Sequence, residues 1–384
     1  MPHADVPAGS PRPQRFGFPV KVLGQPGLKS NDSRRWQSGP HLKVSLEYLH
    51  AIFAYLGKHN IHMYRMSSDI APYATHPDMP QFHGMIREST ADLAALGKAA
   101  REQDIRLSFH PSQYVILNSP DPALTAKSVA DLVAQAEMLD LMELGPEACL
   151  VIHVGGAYGD RYASCRRWSA TFPTLPEPVR RRLVLENDDI RFSAGDVLSI
   201  HEETGVRLIF DHQHYWCMNP ERLDLRETVA KFLATWPADV RPKIHYSSPR
   251  TEFRQMKRKV RQPAATVEAV AEAPPADGDQ PAKATKAAKA KPKAPKFETV
   301  TLPPIWTGHA DFVNPFEFAT FLRIVDGLRD FDVMIEAKAK DLALRRTRLD
   351  LPRYAPEFAP RFGLDLLPTE ADDDLELRAD AAED

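Results

Sequence analysis

The amino-acid sequence predicts an α/β protein whose main body is a single (β/α)8 barrel, the TIM-barrel architecture. Eight short runs of β-branched and apolar residues alternate with longer helical patterns, an order that is typical of parallel strands joined by helices. The chain has 384 residues, 43% of them hydrophobic, which is enough apolar material for one large core. No GxGxxG motif follows the first predicted strand, which argues against a dinucleotide-binding fold.

The predicted strands are short, and the predicted helices lie between them. An open doubly wound sheet would also alternate strands with helices, but eight units fit a closed barrel better. The strands are predicted at 15–20, 61–67, 105–111, 149–155, 182–187, 207–212, 243–248 and 332–338. Helices are predicted at 44–59, 84–103, 125–144, 195–204, 225–235, 315–329 and 338–349.

Three segments have compositions that do not support a packed core. They are an N-terminal stretch rich in Pro and Gly, a low-complexity Ala/Pro/Lys insertion, and an acidic C-terminal tail. We therefore expect a flexible N-terminus at 1–13, barrel strands one to seven within 14–253, a disordered basic insertion after strand seven at 254–297, the completion of the barrel with strand eight at 298–365, and an acidic tail at 366–384.

The formal net charge of −3 conceals two segments of opposite charge. Residues 254–296 contain 11 Lys or Arg and four Asp or Glu, whereas residues 370–384 contain eight acidic residues and one Arg. The overall balance predicts no polyanionic partner, but it describes no particular surface of the molecule. The basic insertion is a candidate for contact with nucleic-acid phosphates, with a silent linker as the alternative.

Neither a membrane span nor an oxidising compartment is expected. No run of about 18 apolar residues is present, and the first residues lack the basic-then-apolar pattern of a signal peptide. The three cysteines, Cys149, Cys165 and Cys217, form no closely spaced metal motif and cannot all pair. We therefore expect a cytoplasmic protein.

Ionisable side chains recur where the predicted strands end. In a parallel barrel the carboxyl ends of all strands open on one face, so these side chains would converge. Taken singly, a histidine or carboxylate at such a position usually has a structural role, either as a hydrogen-bonded core residue or as a helix cap. Packing gives no reason to gather so many of them, because clustered ionisable groups lose solvation and repel one another. They are His110, His153, Glu186, Asp211 with His214, Lys243 with His245, and Glu336.

A multinuclear metal site accounts for this recurrence. Histidine and carboxylate ligands without thiolates suit Mn²⁺, Zn²⁺ or Fe²⁺, and the candidates outnumber the ligands of a single catalytic zinc. Lys243 does not fit as a plain ammonium, because cations would repel it. Either its side chain points outward, or it points inward and is neutral or carries a carbamate made from CO₂.

Two further segments join the candidate site. Gln113 and Tyr114 lie in the loop that leaves the third strand, where an amide beside an aromatic ring suits contact with nucleobases; an ordinary loop aromatic is the alternative. His309 follows the basic insertion and is either a ninth ligand or a polar residue at the start of the next helix.

These motifs resemble the UV damage endonucleases, relatives of the endonuclease IV type in the same barrel superfamily. The resemblance extends from about Arg15 to Leu349. It implies a (β/α)8 barrel with two to three divalent metal ions, usually Mn²⁺, and incision of damaged duplex DNA on the 5′ side of the lesion. The motifs are RMSSDIAPYATH (65–76), RLSFHPSQYVILNSP (106–120), IHVGGAYGD (152–160), LENDD (185–189), FDHQH (210–214), KIHYSSP (243–249), HADF (309–312) and IEAKAKDLAL (335–344).

The resemblance also implies a role for each candidate residue. Lys243 falls where the family carries a carboxylated lysine, and Gln113 and Tyr114 match the pair that the family inserts into the duplex. Glu186 and Lys243 are the predicted catalytic residues. The predicted metal ligands are His110, His153, Glu186, Asp211, His214, Lys243, His245, His309 and Glu336.

The sequence departs from the family pattern in its first strand. Phe18 and Val22 stand where the family tends to have a tyrosine and an asparagine near the damaged nucleotides. Phe18 keeps a ring for stacking and is a predicted DNA contact, whereas Val22 has no hydrogen-bonding group. The lesion range is therefore open. After His214 the chain continues with Tyr215 and Trp216 instead of further histidines.

The predicted function is a DNA-repair endonuclease that hydrolyses a phosphodiester beside UV photoproducts, with abasic sites as a further lesion. Mn²⁺ is the preferred ion, with Zn²⁺ or Mg²⁺ as alternatives. The expected partner is damaged double-stranded DNA, without a membrane or a nucleotide cofactor, and the expected state is a monomer acting at the nucleoid. The alternatives are a divalent-metal sugar isomerase or epimerase and a non-catalytic lesion-binding protein.

Overall fold

The structure, a computed structural model, describes residues 12–259 and 297–364. The predictions made for residues 1–11, for the middle of the basic insertion and for the acidic tail lie outside the described residues.

The described residues contain ten strands, eight of which form one parallel sheet. The order of the sheet is β6-β5-β4-β3-β2-β1-β10-β7. Its two edges meet where the amide of His245 donates to the carbonyl of Phe210 at 2.9 Å, so the sheet closes. The predicted (β/α)8 barrel is confirmed. The strands are β1 (Phe16–Pro19), β2 (Met63–Arg65), β3 (Arg106–Phe109), β4 (Cys149–His153), β5 (Leu183–Glu186), β6 (Arg207–Ile209), β7 (Lys243–Tyr246), β8 (Arg254–Lys259), β9 (Phe297–Leu302) and β10 (Asp332–Ile335).

Helices surround the barrel, and they differ from the prediction in one broken helix and in three helices that were not predicted. The predicted helix 84–103 is broken at Ser89, where the hydroxyl donates to the carbonyl of Met85. The helices are α1 (Leu42–Lys58), α2 (Met85–Glu88), α3 (Thr90–Glu102), α4 (Pro122–Leu141), α5 (Arg161–Thr171), α6 (Glu177–Arg180), α7 (Ala194–Thr204), α8 (His212–Cys217), α9 (Leu225–Ala234), α10 (Pro315–Ile324) and α11 (Lys340–Tyr354). Short 3₁₀ turns lie at Trp36–Ser38, Pro80–Phe82, Phe172–Thr174 and Pro356–Phe362.

Three of these helices, α5, α6 and α8, were not predicted, and α6 is a single turn of four residues. α5 buries only Ser164 and Trp168, so it lacks the apolar stripe that marks a surface helix in a sequence. α8 has six residues and begins at His212, where the sixth strand was predicted to end. Asp211 caps it by accepting the amide of His214 at 2.8 Å.

The barrel interior has its own apolar cluster, separate from the larger core between sheet and helices. Val184 lies two residues before Glu186 on β5, so both side chains face the interior. The polar side chains at the carboxyl ends of the strands therefore lie above an apolar floor. The cluster consists of Cys149, Val151, Val184, Ile209, Trp236 and Val240.

The chain divides into two compact units, one of which is Thr251–Ile305 and the other the remainder. Within Thr251–Ile305, β8 and β9 pair as an antiparallel hairpin. The predicted disorder of 254–297 therefore extends too far at both ends, because regular cross-strand pairing orders 254–259 and residue 297. In the part of the chain that the structure describes, no helix combines the length and apolarity needed to cross a bilayer.

Candidate metal centre

The eight histidine and carboxylate candidates lie together at one end of the barrel. His153 and Glu186 are the last residues of β4 and β5, and His245 lies on β7. Others sit just beyond the strands: His110 follows β3 and Glu336 follows β10. Asp211 and His214 belong to the start of α8, and His309 lies in the segment that returns after the hairpin.

Glu186 is the hub of this cluster and is fully buried. Its Oε2 lies 3.1 Å from Nε2 of His110 and 3.6 Å from Nε2 of His153. Its Oε1 lies 2.8 Å from Nδ1 of His245 and 3.7 Å from Nδ1 of His214. One carboxylate therefore touches four imidazoles that come from four different strand ends.

Two groups of side chains are close enough to hold metal ions. In each group the ligand atoms lie within 4.8 Å of one another. Because Glu186 belongs to both groups, its carboxylate could help to hold a cation in either of them. The first group is His110, His153 and Glu186, and the second is Glu186, Asp211, His245 and Glu336.

Several buried ligand atoms lack a hydrogen-bond partner within the described residues. They are Nδ1 of His153, Oδ2 of Asp211 and Nε2 of His245. Unpaired polar atoms in a buried site cost free energy, and most buried groups avoid it. The donor set, made only of imidazole and carboxylate, suits Mn²⁺ or Zn²⁺. The residues present therefore fit a divalent metal centre.

Backbone carbonyls orient two of the histidines. Nδ1 of His110 lies 3.1 Å from the carbonyl of Pro111, and Nδ1 of His214 lies 2.9 Å from the carbonyl of Asn187. A carbonyl only accepts, so Nδ1 must carry the proton in both rings. In a neutral ring Nε2 is then left with its lone pair for a metal, the usual arrangement of ligating histidines.

The charges of the cluster are strongly coupled. Burial raises the pKa of Glu186, but His245 and His153 outweigh burial and hold it well below its usual range. Burial lowers the pKa of His214, yet Asp211, Glu186 and a third carboxylate raise it to about 9. Burial lowers the pKa of His153, and burial raises the pKa of Asp211. In the site, carboxylates are thus stabilised by neighbouring imidazoles. A bound divalent cation can supply the same positive charge to these carboxylates.

Arg65 at the end of β2 contacts Oε1 of Glu336. The side chains of both residues are largely buried, with 13% and 10% exposed. Burial raises the pKa of Glu336, but Arg65 and His245 overcome this effect and lower it. The guanidinium therefore keeps Glu336 ionised and fixes its position.

His309 is held by two neutral side chains, Ser247 and Gln213, that the sequence pattern does not single out. Its Nδ1 lies 2.6 Å from Oγ of Ser247 and 3.1 Å from Oε1 of Gln213, and its Nε2 lies 3.9 Å from Oε2 of Glu336. Gln213 also donates to the carbonyls of Trp306 and of residue 308. Both residues stand inside quoted motifs, FDHQH and KIHYSSP, but they carry no charge, so an argument based on ionisable groups overlooks them.

Lys243 points into the barrel and is fully buried. Its Nζ donates to Oγ of Ser108 at 3.0 Å. Lys243 lies two residues before His245, as Ser108 does before His110, so this pair occupies the next interior layer below the ligands. Burial, reinforced by nearby arginines, lowers the pKa of Lys243. Of the two orientations left open by the sequence, the inward one is observed.

A cleft of about 1310 Å³ opens above the cluster. Gln113 and Tyr114 line it together with His110, His153 and Glu336. The ring of Tyr114 is 80% exposed. The structure thus brings the predicted Gln-Tyr pair to the same mouth as the candidate ligands.

Phe18 is not at this mouth, and its prediction as a DNA contact is wrong. It pairs in register with Tyr64 of β2, and the two rings meet edge to face at 5.4 Å. Tyr64 adjoins Arg65, which faces Glu336 at the mouth, so Tyr64 and Phe18 face the surrounding helices. Phe18 is fully buried and has no free face for a nucleobase, and Val22 is buried as well.

Comparisons with known proteins agree with the resemblance. A family model described as UV-endonuclease UvdE matches residues 42–357. A UV DNA damage endonuclease of Bacillus cereus is 28% identical over 310 residues, 79% of this chain and 80% of that protein. A UV DNA damage endonuclease of Bacillus velezensis is 35% identical over 199 residues, but this match spans 52% of the chain and only 62% of that relative. For a Bacillus pumilus relative the matched share of its length is 60%.

A solved structure described as the crystal structure of SacUVDE shares the fold. The TM-score is 0.65 at 26% sequence identity, and the alignment covers 88% of this chain and 98% of that one. Since the family model covers most of the chain and the barrel matches as well, the protein belongs to the UV-endonuclease UvdE family.

Proposed function

We propose that this protein is a metal-dependent endonuclease of DNA excision repair that nicks damaged duplex DNA on the 5′ side of the lesion. The observation that carries the proposal is the set of four imidazoles around Glu186 at the floor of an open cleft. The proposed lesions are UV photoproducts, with abasic sites as a further class. The names of the relatives, UV DNA damage endonucleases, support the same activity.

Two to three divalent cations are the proposed cofactors, with Mn²⁺ preferred and Zn²⁺ or Mg²⁺ as alternatives. When bound, such ions polarise a phosphodiester and lower the pKa of a water molecule. The side chains proposed to hold them are His110, His153, Glu186, Asp211, His214, His245, His309 and Glu336, together with a modified Lys243.

Glu186 is proposed to bind the metal ions and to orient the histidines around it. Its lowered pKa keeps the carboxylate ionised, so each oxygen can serve a different ligand group. Arg65 contacts Glu336 and keeps this second carboxylate ionised as well. Because these groups are fixed before substrate arrives, little reorganisation is needed when the phosphate binds.

Lys243 is proposed to carry a carbamate. The neutral Nζ attacks the carbon of CO₂, an N–C bond forms, and the nitrogen loses one proton to solvent, which leaves an anionic carbamate. Burial lowers the pKa of Lys243, and this favours the neutral amine that the step requires. The change replaces a cation by an anion, which is the charge that a cation site needs.

Gln113 and Tyr114 are proposed to read the lesion. Both are exposed on the loop after β3 and line the cleft. Displacing a base pair from the stack costs a few kcal/mol, and this cost is smaller for a damaged pair because it is already weakly stacked. The amide and the ring can then fill the space left in the duplex.

The two alternative functions have less support. A sugar isomerase or epimerase needs a closed pocket for a small polyol, whereas this cleft is wide and Tyr114 is 80% exposed beside it. A lesion-binding protein without catalysis has no chemical need for eight metal-ligating side chains. We further propose that the enzyme acts as a cytoplasmic monomer on double-stranded DNA without a nucleotide cofactor.

Substitution of the hub tests the proposal. Glu186→Ala is expected to abolish the Mn²⁺-dependent nicking of UV-irradiated plasmid, while affinity for damaged duplex stays within a few-fold of the wild type. Glu177→Ala on α6, an exposed carboxylate that precedes β5 whereas Glu186 ends this strand, serves as the control and should nick normally. Undiminished nicking by the Glu186 variant would exclude this site as the centre of the reaction.

A further inference from the structure

The hairpin of β8 and β9 has two faces with different chemistry. Antiparallel partners share a face of the ribbon. The register pairs Gln255 with Thr301 and Lys257 with Thr299. We call these four residues the open face, because all four are exposed.

The opposite face of the ribbon differs in composition. There Met256 pairs with Val300, and Arg258 pairs with Glu298, whose charge opposes it. Val300 is only partly exposed. Arg254 lies on this face as well, paired with Leu302, so the face combines two arginines with a carboxylate, whereas the open face carries a lysine and no carboxylate.

The open face has the side chains that bind phosphate oxygens. Lysine, glutamine and threonine account for many of the contacts that proteins make with the DNA backbone. Nε2 of Gln255 donates to Oγ1 of Thr301 at 3.1 Å, which holds the amide in line with the row of hydroxyls. Phe297 extends the row at its far end and is 59% exposed, an apolar surface for a sugar or base.

The chain joins this hairpin to the mouth of the barrel. The amide of Arg250 donates to the carbonyl of Gly308 at 2.7 Å, and Pro249 and His309 form an antiparallel bridge. Arg250 is the last residue before the hairpin unit, and His309 is one of the candidate metal ligands. The two strands of the hairpin thus leave from, and return to, a paired segment at the metal site.

We propose that the open face binds the sugar-phosphate backbone of duplex DNA. This inference rests on the proposed function, since the duplex it binds is the substrate of the nuclease. A duplex is favoured over a protein partner because hydrogen-bonding side chains form the centre of the face, and its apolar residue, Phe297, lies at the far end. The contact gives affinity for DNA of any sequence, damaged or intact.

The test uses the full chain and an undamaged duplex, which is not cut. Fluorescence anisotropy measures Kd between about 50 and 200 mM salt. The double variant Lys257→Glu with Thr299→Glu is expected to bind about tenfold more weakly at the low-salt end and to lower the slope of log Kd against log salt by about one or more. Lys257→Gln, which adds no negative charge, should lower the slope by about one. Lys257→Arg should retain the wild-type Kd and the wild-type slope.

A matched control carries the same change of charge elsewhere. Ala95 and Lys98 are exposed on α3, so Ala95→Glu with Lys98→Glu should bind like the wild type. Equal thermal unfolding midpoints would show that the hairpin variants are folded. Wild-type affinity and slope in the double variant, or an equal loss in the α3 control, would overturn the proposal. Failure of the proposed function is a separate result, because the wild type would then not nick irradiated duplex at all.

Discussion

Among single residues, Glu186 determines how the site is organised. Its carboxylate touches four imidazoles, and it belongs to both groups of potential metal ligands. Its role was visible in the sequence because it ends a strand in an α/β pattern. The neutral residues Ser247 and Gln213, which hold His309, were not visible in that way. Neutral side chains are recognised only from contacts, and contacts between distant segments require the fold.

The Arg65–Glu336 pair supports a prediction about stability. Arg65→Met removes the cation from a buried carboxylate, so the free energy of unfolding of the metal-free protein should fall by about 3–5 kcal/mol. With Mn²⁺ bound the loss should be smaller, because the ion supplies the missing positive charge. Denaturant unfolding in EDTA and in Mn²⁺ measures both values.

The control for this prediction is a surface pair. Arg87 and Glu137 form a surface ion pair with side chains that are 87% and 38% exposed. Arg87→Met should therefore cost less than about 1 kcal/mol. An Arg65 variant that loses the same free energy with and without Mn²⁺ would show that the guanidinium does not act through Glu336.

The raised pKa of His214 predicts how metal binding depends on pH. In the metal-free protein this ring is protonated at neutral pH, because its pKa lies at about 9 instead of 6.5. The ring must lose a proton before Nε2 can bind a cation. Mn²⁺ affinity should therefore rise as the pH increases from 6.5 to about 9, with proton release on binding. Calorimetry in buffers of different ionisation enthalpy measures both effects, and an affinity that is flat across this range would contradict the assignment of His214.

The same group affects the stability of the metal-free fold in the opposite sense. Because the folded pKa of His214 is raised, its protonation stabilises the fold fully below pH 6.5, and this contribution is lost as the pH rises through about 9. The two trends together distinguish a ligand from a structural histidine, because a structural histidine would show only the second.

At the level of helices and strands, the sequence predicted the barrel better than it predicted its connections. The barrel strands are short buried segments rich in apolar residues, a pattern that is recognisable without tertiary information. α5 escaped prediction because its outward residues are polar and Trp168 is its one large buried side chain. The hairpin escaped because its ends read as low-complexity sequence, and only the pairing of β8 with β9 reveals the strands.

The candidate site, like the fold, was predictable only in part from the sequence. The strand-end residues were predictable, because parallel strands bring their carboxyl ends to one face. Phe18 was misplaced because a family resemblance says which residue stands at a position, and not which face of the strand it occupies. The register of β1 with β2 puts Phe18 beside Tyr64, so the ring of Phe18 faces the helices.

The amino ends of the strands are held by a separate buried charge cluster. Asp332 begins β10 and is fully buried, 2.8 Å from Nη1 of Arg106 and within ion-pair distance of Arg15 and Arg241. Asp332→Asn should lower the free energy of unfolding by about 3–5 kcal/mol, because Arg106 is left buried without its counter-ion. Nicking per folded molecule should be unchanged, since the site lies at the other end of the barrel.

Asp330 is the control for this prediction. It accepts a hydrogen bond from the amide of Gln14 at 2.7 Å but is itself exposed. Asp330→Asn should cost less than about 1 kcal/mol. If Asp332→Asn abolished nicking in fully folded protein, the separation between the two ends of the barrel would be wrong.

For the whole molecule, the net charge of −3 now has a structural explanation. Glu186, Asp211 and Glu336 place three carboxylates beneath the cleft where a polyanionic substrate would lie. Bound cations would reverse this local charge, so the fold itself need not be basic.

Metal loading should also stabilise the whole fold. At a free Mn²⁺ concentration of about 100 times Kd, binding adds about 2.7 kcal/mol to the free energy of unfolding. The unfolding midpoint of the wild type should therefore rise with Mn²⁺ and return on chelation, and Glu186→Ala should show little of this increase. A midpoint that does not respond to Mn²⁺, Zn²⁺ or Mg²⁺ would mean that the cluster holds no divalent ion.

The central claim is that this cluster cuts damaged DNA beside the lesion. The most direct measurement uses end-labelled duplexes that each contain one defined photoproduct or abasic site, incubated in turn with Mn²⁺, Mg²⁺ and Zn²⁺. We predict a single metal-dependent cut immediately on the 5′ side of the lesion, leaving a 3′ hydroxyl and a 5′ phosphate, and no cut in the matched undamaged duplex. Absence of a cut with all three ions, or equal cutting of the undamaged duplex, would contradict the account.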